Sequence, residues 1–476
     1  MARHRTAALA AAFLAVPLGL MGSALAGPAA AYADGATPVC GTGYRMNLAA
    51  GMPNYHGRSG VSVGSAEYFS DQIPGAEKSI SGFGTSVSVA DINGDGCNDL
   101  VVGQPGTSKT KGYVSILWGN STGLDGSRVT VLTGRFVGDG FGTSVSAVAR
   151  GDGSGITDLW VGAPDSDVSR VAGGEVEHYT LDATEPPKFQ GSIWADVNNS
   201  GGLEHDGGHF GQVVQGYPGG VVIGAPDDTV DGRAGAGSIF VATQDHYGYL
   251  DRAKYWTQDS PGVPGKAEAN DHFGAALYAS PNAVIVGVPG EDIGSLKDAG
   301  SVQMFVDGAP AQSITQDTKG VPGAVEAGDR FGASVTVGQW LLTQEGFDVA
   351  IGAPGEDVGT VKDAGSVTLL TLTGANLQTI DAAKALTQGT GGLGGKIEAG
   401  DQVGAALAII GGDTSAEEDM VDTLVVGVPG EDISGSVDCG LITEYNRSGR
   451  TVNYEAERTS KNHFGSVLAS TPYYSS

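Results

Sequence analysis

The chain has 476 residues, with 54 Asp and Glu against 26 Lys and Arg, for a net charge of −28 at pH 7. So acidic a chain repels nucleic acid and anionic lipid, which leaves cations, neutral glycans and basic protein surfaces as partners. Glycine supplies 79 residues, more than twice its usual share of about 7%, and because it recurs in a pattern it marks tight turns, not disorder.

The chain opens on Met1-Ala2-Arg3-His4-Arg5 and an apolar, alanine-rich run to Met21, and Ala31-Tyr32-Ala33 offers a small-x-small cleavage site, with Ala24-Leu25-Ala26 as an earlier one. The run is broken by Pro17 and Gly19 and falls short of a membrane span, so residues 1–33 are predicted to be a secretory signal peptide cleaved after Ala33. Cleavage removes Arg3 and Arg5 but no acid, which takes the net charge from −28 to −30. No second apolar stretch reaches membrane length. The expectation is a secreted, extracellular protein with no membrane insertion, monomeric, with residues 34–476 as one domain.

From there a Gly-x-Pro triplet recurs seven times, beginning at Gly51, Gly103, Gly162, Gly224, Gly287, Gly352 and Gly427, each after a short β-branched run such as Leu100-Val101-Val102. A regular period of this kind signals a repeat architecture. A Phe-Gly step also recurs seven times: Phe83-Gly84, Phe141-Gly142, Phe210-Gly211, Phe273-Gly274, Phe331-Gly332, the variant Val403-Gly404 and Phe464-Gly465. The two lists are out of phase. The first triplet has no Phe-Gly before it, and the last Phe-Gly has no triplet after it.

A linear stack has no use for such a split, but a ring closed by strands from both chain ends does. The pattern therefore predicts an all-β fold, a seven-bladed β-propeller, which removes the exposed-edge problem by radial repetition. In each blade the Phe-Gly segment is expected to be strand one and the run before Gly-x-Pro strand two. A Gly-Ser-Val-like run such as Gly300-Ser301-Val302 becomes strand three and a variable polar stretch strand four. The shared blade would take strand one from residues 464–469 and the rest from residues 44–81.

Between strands one and two of the first full blade lies Asp91-Ile92-Asn93-Gly94-Asp95-Gly96-Cys97-Asn98-Asp99. Side-chain oxygens stand at positions 1, 3, 5 and 9, with glycine at 6 for the sharp bend, the spacing that hard, oxygen-seeking calcium requires. The predicted ligands are Asp91, Asn93, Asp95, the backbone carbonyl of Cys97, and Asp99. An EF-hand would need a glutamate at position 12; that position is Val102. Blade two keeps Asp152, Ser154 and Asp158 but begins on Arg150, and the acid-rich stretch 413–422 of blade six has lost the spacing. One good loop predicts a structural pin.

Phe-Gly, an Asp-x-Asn-x-Asp-Gly-x-x-Asp loop and then Gly-x-Pro resemble the FG-GAP repeat, and over residues 44–469 the chain resembles the β-propeller domain of integrin α subunits and their secreted bacterial relatives. The resemblance implies that the calcium loop lies on the lower face of the disc and that the protein serves cell adhesion or ligand binding. Nothing corresponds to an inserted ligand-binding domain or to leg domains, so receptor function with a β partner is not implied.

The remaining motifs carry less. Pro289-Gly290-Glu291-Asp292 and its copies at Pro354 and Pro429 follow strand two, and Glu268-Ala269-Asn270-Asp271 and its copies at Glu326 and Glu398 precede strand one. They are expected on the face opposite the loop, as turn-capping acids or, alternatively, as a surface for cations or basic ligands. His209, His272 and His463 each precede a Phe-Gly, a slot that other residues fill in other blades. Arg150-Gly151-Asp152 spells an adhesion tripeptide inside the degenerate blade-two loop. Three cysteines allow one bridge and one leftover thiol; the strand phasing puts Cys40 and Cys97 on the same face and Cys439 on the other, so Cys40–Cys97 is the predicted pair.

No Gly-x-Ser-x-Gly elbow or His-Glu-x-x-His motif appears. The leading expectation is a non-catalytic module that binds an extracellular protein or glycan. A polysaccharide-acting hydrolase or lyase and a passive cell-envelope structural protein are the alternatives.

Overall fold

The computed structural model describes residues 48–53, 58–64, 66–75, 81–167, 173–183, 186–194, 208–245, 248–339, 341–343, 346–389, 392–411, 422–448, 451–455 and 462–470. The expected signal peptide, Cys40 and most of the stretch 413–422 lie outside them. Among the described residues no helix is long and apolar enough to cross a membrane.

The described strands form seven antiparallel sheets of four. Blade one runs Ser86–Ala90, Asp99–Gln104, Tyr113–Asn120 and Gly123–Thr133, and blade two runs Ser144–Ala149, Thr157–Ala163, Glu175–Leu181 and Lys188–Trp194. Blades three to six begin with Val213–Tyr217, Ala276–Ala279, Ser334–Gly338 and Leu407–Ile410. Each innermost strand packs against the next, and that of the seventh sheet returns to blade one. The fold is a seven-bladed β-propeller.

The seventh sheet is the shared blade. Leu468–Ser470 pairs with Leu48–Met52 in the register Leu48 to Ser470, Ala49 to Ala469 and Ala50 to Leu468, and Gly51 N–H adds a bond to the Val467 carbonyl at 3.0 Å. Gly60–Val63 and Ala66–Phe69 complete it. Both ends of the described chain thus meet in one sheet, as the offset motif lists require.

The core sits between blades. Each of the seven principal clusters of buried side chains draws on two adjacent blades; Val101, Val114 and Ile116 of blade one, for instance, pack on Val145, Leu159 and Val161 of blade two. A strand covered on both faces has no reason to alternate polar with apolar residues. Hence strand two reads as a continuous β-branched run, and Asp99–Gln104, Gly220–Ala225 and Ala283–Val288 are buried throughout. Strand four is the outer edge and is mostly exposed and polar, as in Leu250–Trp256.

Phe-Gly stands just ahead of strand one instead of inside it, because its glycine adopts φ between +83° and +96° in all seven blades, outside the strand region. In six blades the N–H of this glycine bonds the Gly-x-Pro glycine carbonyl of its own blade, at 2.9–3.1 Å. Its carbonyl faces the other way, into the preceding blade. A Cβ on the Gly-x-Pro glycine there would lie 1.9–2.3 Å from that oxygen at every junction, including Gly427 against Gly465 and Gly51 against Gly84. The two motifs are therefore halves of one contact, repeated around the ring.

Candidate metal centre

The loop of residues 91–98 joins Ser86–Ala90 to Asp99–Gln104 and is wound by its own side chains. Asp91 accepts Asp95 N–H through Oδ1 at 3.1 Å and Gly96 N–H through Oδ2 at 2.9 Å. Asn93 Oδ1 accepts Asp95 N–H at 3.0 Å, and Asp95 Oδ1 accepts Cys97 N–H at 2.8 Å. Gly94 and Gly96, at φ +70° and +83°, allow the bend. Buried Ile92 and Cys97 anchor the loop underneath.

Asp99 is fully buried and fastens the loop on two sides, accepting Ile92 N–H at 2.9 Å and Gly119 N–H at 2.7 Å. Burial pushes its carboxyl up to about 7, with the charges of Asp95 and Asp91 adding to the rise. Asp91 is also raised, first by burial and then by Asp95. No Lys, Arg or His among the described residues pairs with Asp91, Asp95 or Asp99. A carboxylate has about four acceptor sites, so each of the three keeps capacity beyond its N–H bonds.

Blade two shows the same position differently compensated. Asp158 stands where Asp99 does, four residues before the Gly-x-Pro glycine, and Arg150 stands where Asp91 does. Arg150 Nε and Nη2 grip the two oxygens of Asp158 at 2.9 and 2.8 Å, and His178 Nε2 meets Oδ1 at 2.7 Å. Burial would raise the Asp158 carboxyl, but the bonds to His178 and Arg150 outweigh it and hold the group below its ordinary range. His178 in turn stacks on Trp160, with ring centroids 3.9 Å apart. In blade five the equivalent Asp348 takes the Thr371 hydroxyl at 2.5 Å and Leu342 N–H at 3.1 Å.

Among the described residues no group of three or more His, Cys, Asp or Glu side chains forms a ready-made metal shell. The blade-one donors are a mixed set, carboxylates with an amide oxygen and a backbone carbonyl, all oxygen and with no internal cation. That chemistry fits a hard divalent ion.

Residues 83–117, from Phe83-Gly84 through this loop into strand three, match the FG-GAP repeat family. The chain carries an FG-GAP repeat. Together with seven blades in a ring, the match is consistent with an integrin-α-like propeller.

The recurring Phe-Gly and Gly-x-Pro steps place the other motifs. Asp271, Asp329 and Asp401, two residues before each Phe-Gly or Val-Gly, accept the N–H of Glu268, Glu326 and Glu398, so these acids do cap turns. Asp292, Asp357 and Asp432 likewise accept the N–H groups of Asp298, Asp363 and Asp438 at 2.9–3.0 Å. Beside them Glu291 and Glu356 are pushed up to about 7, chiefly by burial and then by Asp271 and Asp329 respectively; Asp271 and Asp329 reach about 6 and Asp401 about 7, again chiefly by burial.

What sequence reasoning missed is the glutamine partner of each glutamate: Gln258 for Glu291, Gln316 for Glu356 and Gln388 for Glu431. A signal was present, since a Thr-Gln pair ends fifteen residues before Phe273, Phe331 and Val403.

The slot before Phe-Gly has positive φ in every blade, whether it holds Gly82, Gly140, His209, His272, Arg330, Gln402 or His463. A left-handed backbone is what the three histidines share. His209 and His272 do meet on Asp227, through Nδ1 at 2.7 and 3.3 Å. The Arg150-Gly151-Asp152 tripeptide does not present its arginine, which is spent on Asp158. Cys97 is disulfide-bonded and Cys439 is a buried free thiol, which excludes Cys439 as its partner.

Proposed function

We propose that the chain is a secreted propeller in which calcium, held by Asp91, Asn93, Asp95, the Cys97 carbonyl and Asp99, pins blade one, and whose rim binds an extracellular protein or glycan without catalysis. One observation carries the calcium reading. Two adjacent blades bury an aspartate at the same position; blade two neutralises it with Arg150, whereas blade one surrounds it with two further carboxylates and no base. Calcium would supply there the charge that Arg150 supplies next door, and the Asx turns already hold alternate side chains for it.

The binding reading rests on the loops after strand two in blades four to six, which expose Asp298, Asp363 and Asp432, while Asp292 and Asp357 are half-buried and already paired with Lys297 and Lys362. Such a surface attracts basic or cation-bridged ligands and steers their approach.

Asp95→Ala tests the pin. The wild type should melt higher in calcium than in chelator, and the variant should melt low in both. Identical wild-type melting with and without chelator would remove the pin. Glycan-array binding with and without calcium tests the binding role, which falls if no glycan and no basic protein is retained in either condition.

A further inference from the structure

Three blade junctions, three to four, four to five and five to six, enclose a common set of side chains away from the blade-one loop. At the first, Gln258 follows the outer strand of blade three and donates Nε2 to Glu291 Oε2 of blade four. Asp271 uses Oδ2 to accept Glu268 N–H, while Gly290 N–H bonds the Asp271 carbonyl at 3.0 Å and draws the Glu291 segment against it. Asp271 is the foremost charge acting on Glu291. Gly265 leaves the space open: a Cβ there would lie 3.5 Å from Gln258 Nε2, 3.7 Å from Glu291 Oε1 and 3.8 Å from Gln303 Nε2.

The same residues bury acceptors that have no donor. Asp271 Oδ1, Gln258 Oε1 and Gln303 Oε1 have no hydrogen-bond partner, and all three residues are 1% exposed. The arrangement recurs. Gln316 Oε1 is orphaned where Gln316 meets Glu356 beside Asp329, and Gln388 Oε1 and Asp401 Oδ1 are orphaned where Gln388 meets Glu431. No lysine or arginine pairs with any of the six acids. An acceptor left unsatisfied in the interior costs the desolvation of that group with nothing to offset it. Repeating the same cost at three junctions is explained most simply by a ligand that all three receive.

We propose that each of these junctions is a cation site that takes a hard divalent ion between its aspartate and glutamate, with the glutamine amide oxygen as a third protein donor. The donors are all oxygen, and two carboxylates balance one divalent charge. Each carboxylate is already held by a protein N–H at its other oxygen, the outer support that orients metal ligands. The ion bridges consecutive blades, because the glutamine comes from one and both acids from the next.

Equilibrium dialysis of the full chain against calcium at neutral pH counts the sites. The wild type should bind about four ions, one in the loop and three at the junctions. Asp95→Ala, which leaves the junctions untouched, should retain three, and the combined Glu291→Gln, Glu356→Gln and Glu431→Gln variant should retain one. A single wild-type ion that disappears in Asp95→Ala overturns the junction sites and leaves the loop reading standing. An unchanged count in the triple variant overturns them too. Should the triple variant fail to fold, the Asp95→Ala count decides alone: three ions support the sites, none overturns them.

Discussion

Arg150 and Asp91 occupy the same place in successive blades, eight residues before a buried aspartate, and carry opposite charges. Removing the arginine leaves Asp158 buried with only His178 beside it, and breaking a buried pair from one side costs about 3–5 kcal/mol. Arg150→Ala should therefore lower the melting temperature whether or not calcium is present; a loss confined to chelator would contradict this account. Glu177, 1% exposed, makes a different prediction. Burial pushes its carboxyl up to about 7, with the Tyr179 hydroxyl opposing and the Glu175 charge adding. The folded state thus binds this proton more tightly than the unfolded chain, whose glutamates titrate near ~4.3. Its contribution is fully present below that range and is lost as pH rises through about 7. Glu177→Gln should flatten the melting profile between about pH 5 and 8 and raise it at the alkaline end; parallel profiles would count against it. The chelating spacing was legible in the sequence because it is local. The fate of Arg150 was not: as a tripeptide it advertises adhesion, and only the fold reveals that Asp158 holds the guanidinium.

The Phe-Gly and Gly-x-Pro motifs were legible as lists, and their offset as closure, but not as a single contact. Within blades one to six the two glycines stand 13 to 23 residues apart, and the atoms that collide belong to neighbouring blades. No pattern of spacing in one repeat reports on that. A methyl group on Gly287 would lie 2.0 Å from the Gly332 carbonyl oxygen, and backbone on both sides cannot withdraw. Gly287→Ala should cost on the order of 4 kcal/mol, at the extreme of single substitutions. Denaturant unfolding measures it, and a loss under about 1 kcal/mol would mean that the junction yields more easily than its geometry implies. The junction glutamines escaped sequence reading for a similar reason: a Thr-Gln pair at the end of an outer strand looks like surface until the next blade's glutamate covers it.

At the scale of the molecule, closure rests on three strand pairings between residues 48–50 and 468–470 and on the core of Met52, Phe69, Val425, Ile442 and Phe464 that spans blade six and the shared blade. Removing residues 464–476 takes away that innermost strand and its phenylalanine together. The truncated chain should melt lower and be cut faster by protease at blade six than at blade three; uniform cleavage would argue that the ring does not depend on its seam. The contact between glycines has a further consequence for inheritance. Every blade presents the same bare glycine to its successor and the same glycine carbonyl to its predecessor, so a blade copied, exchanged or moved to the other end of the gene would meet the same contact at either side. Such a ring can be permuted one module at a time without altering the glycine contact at any junction.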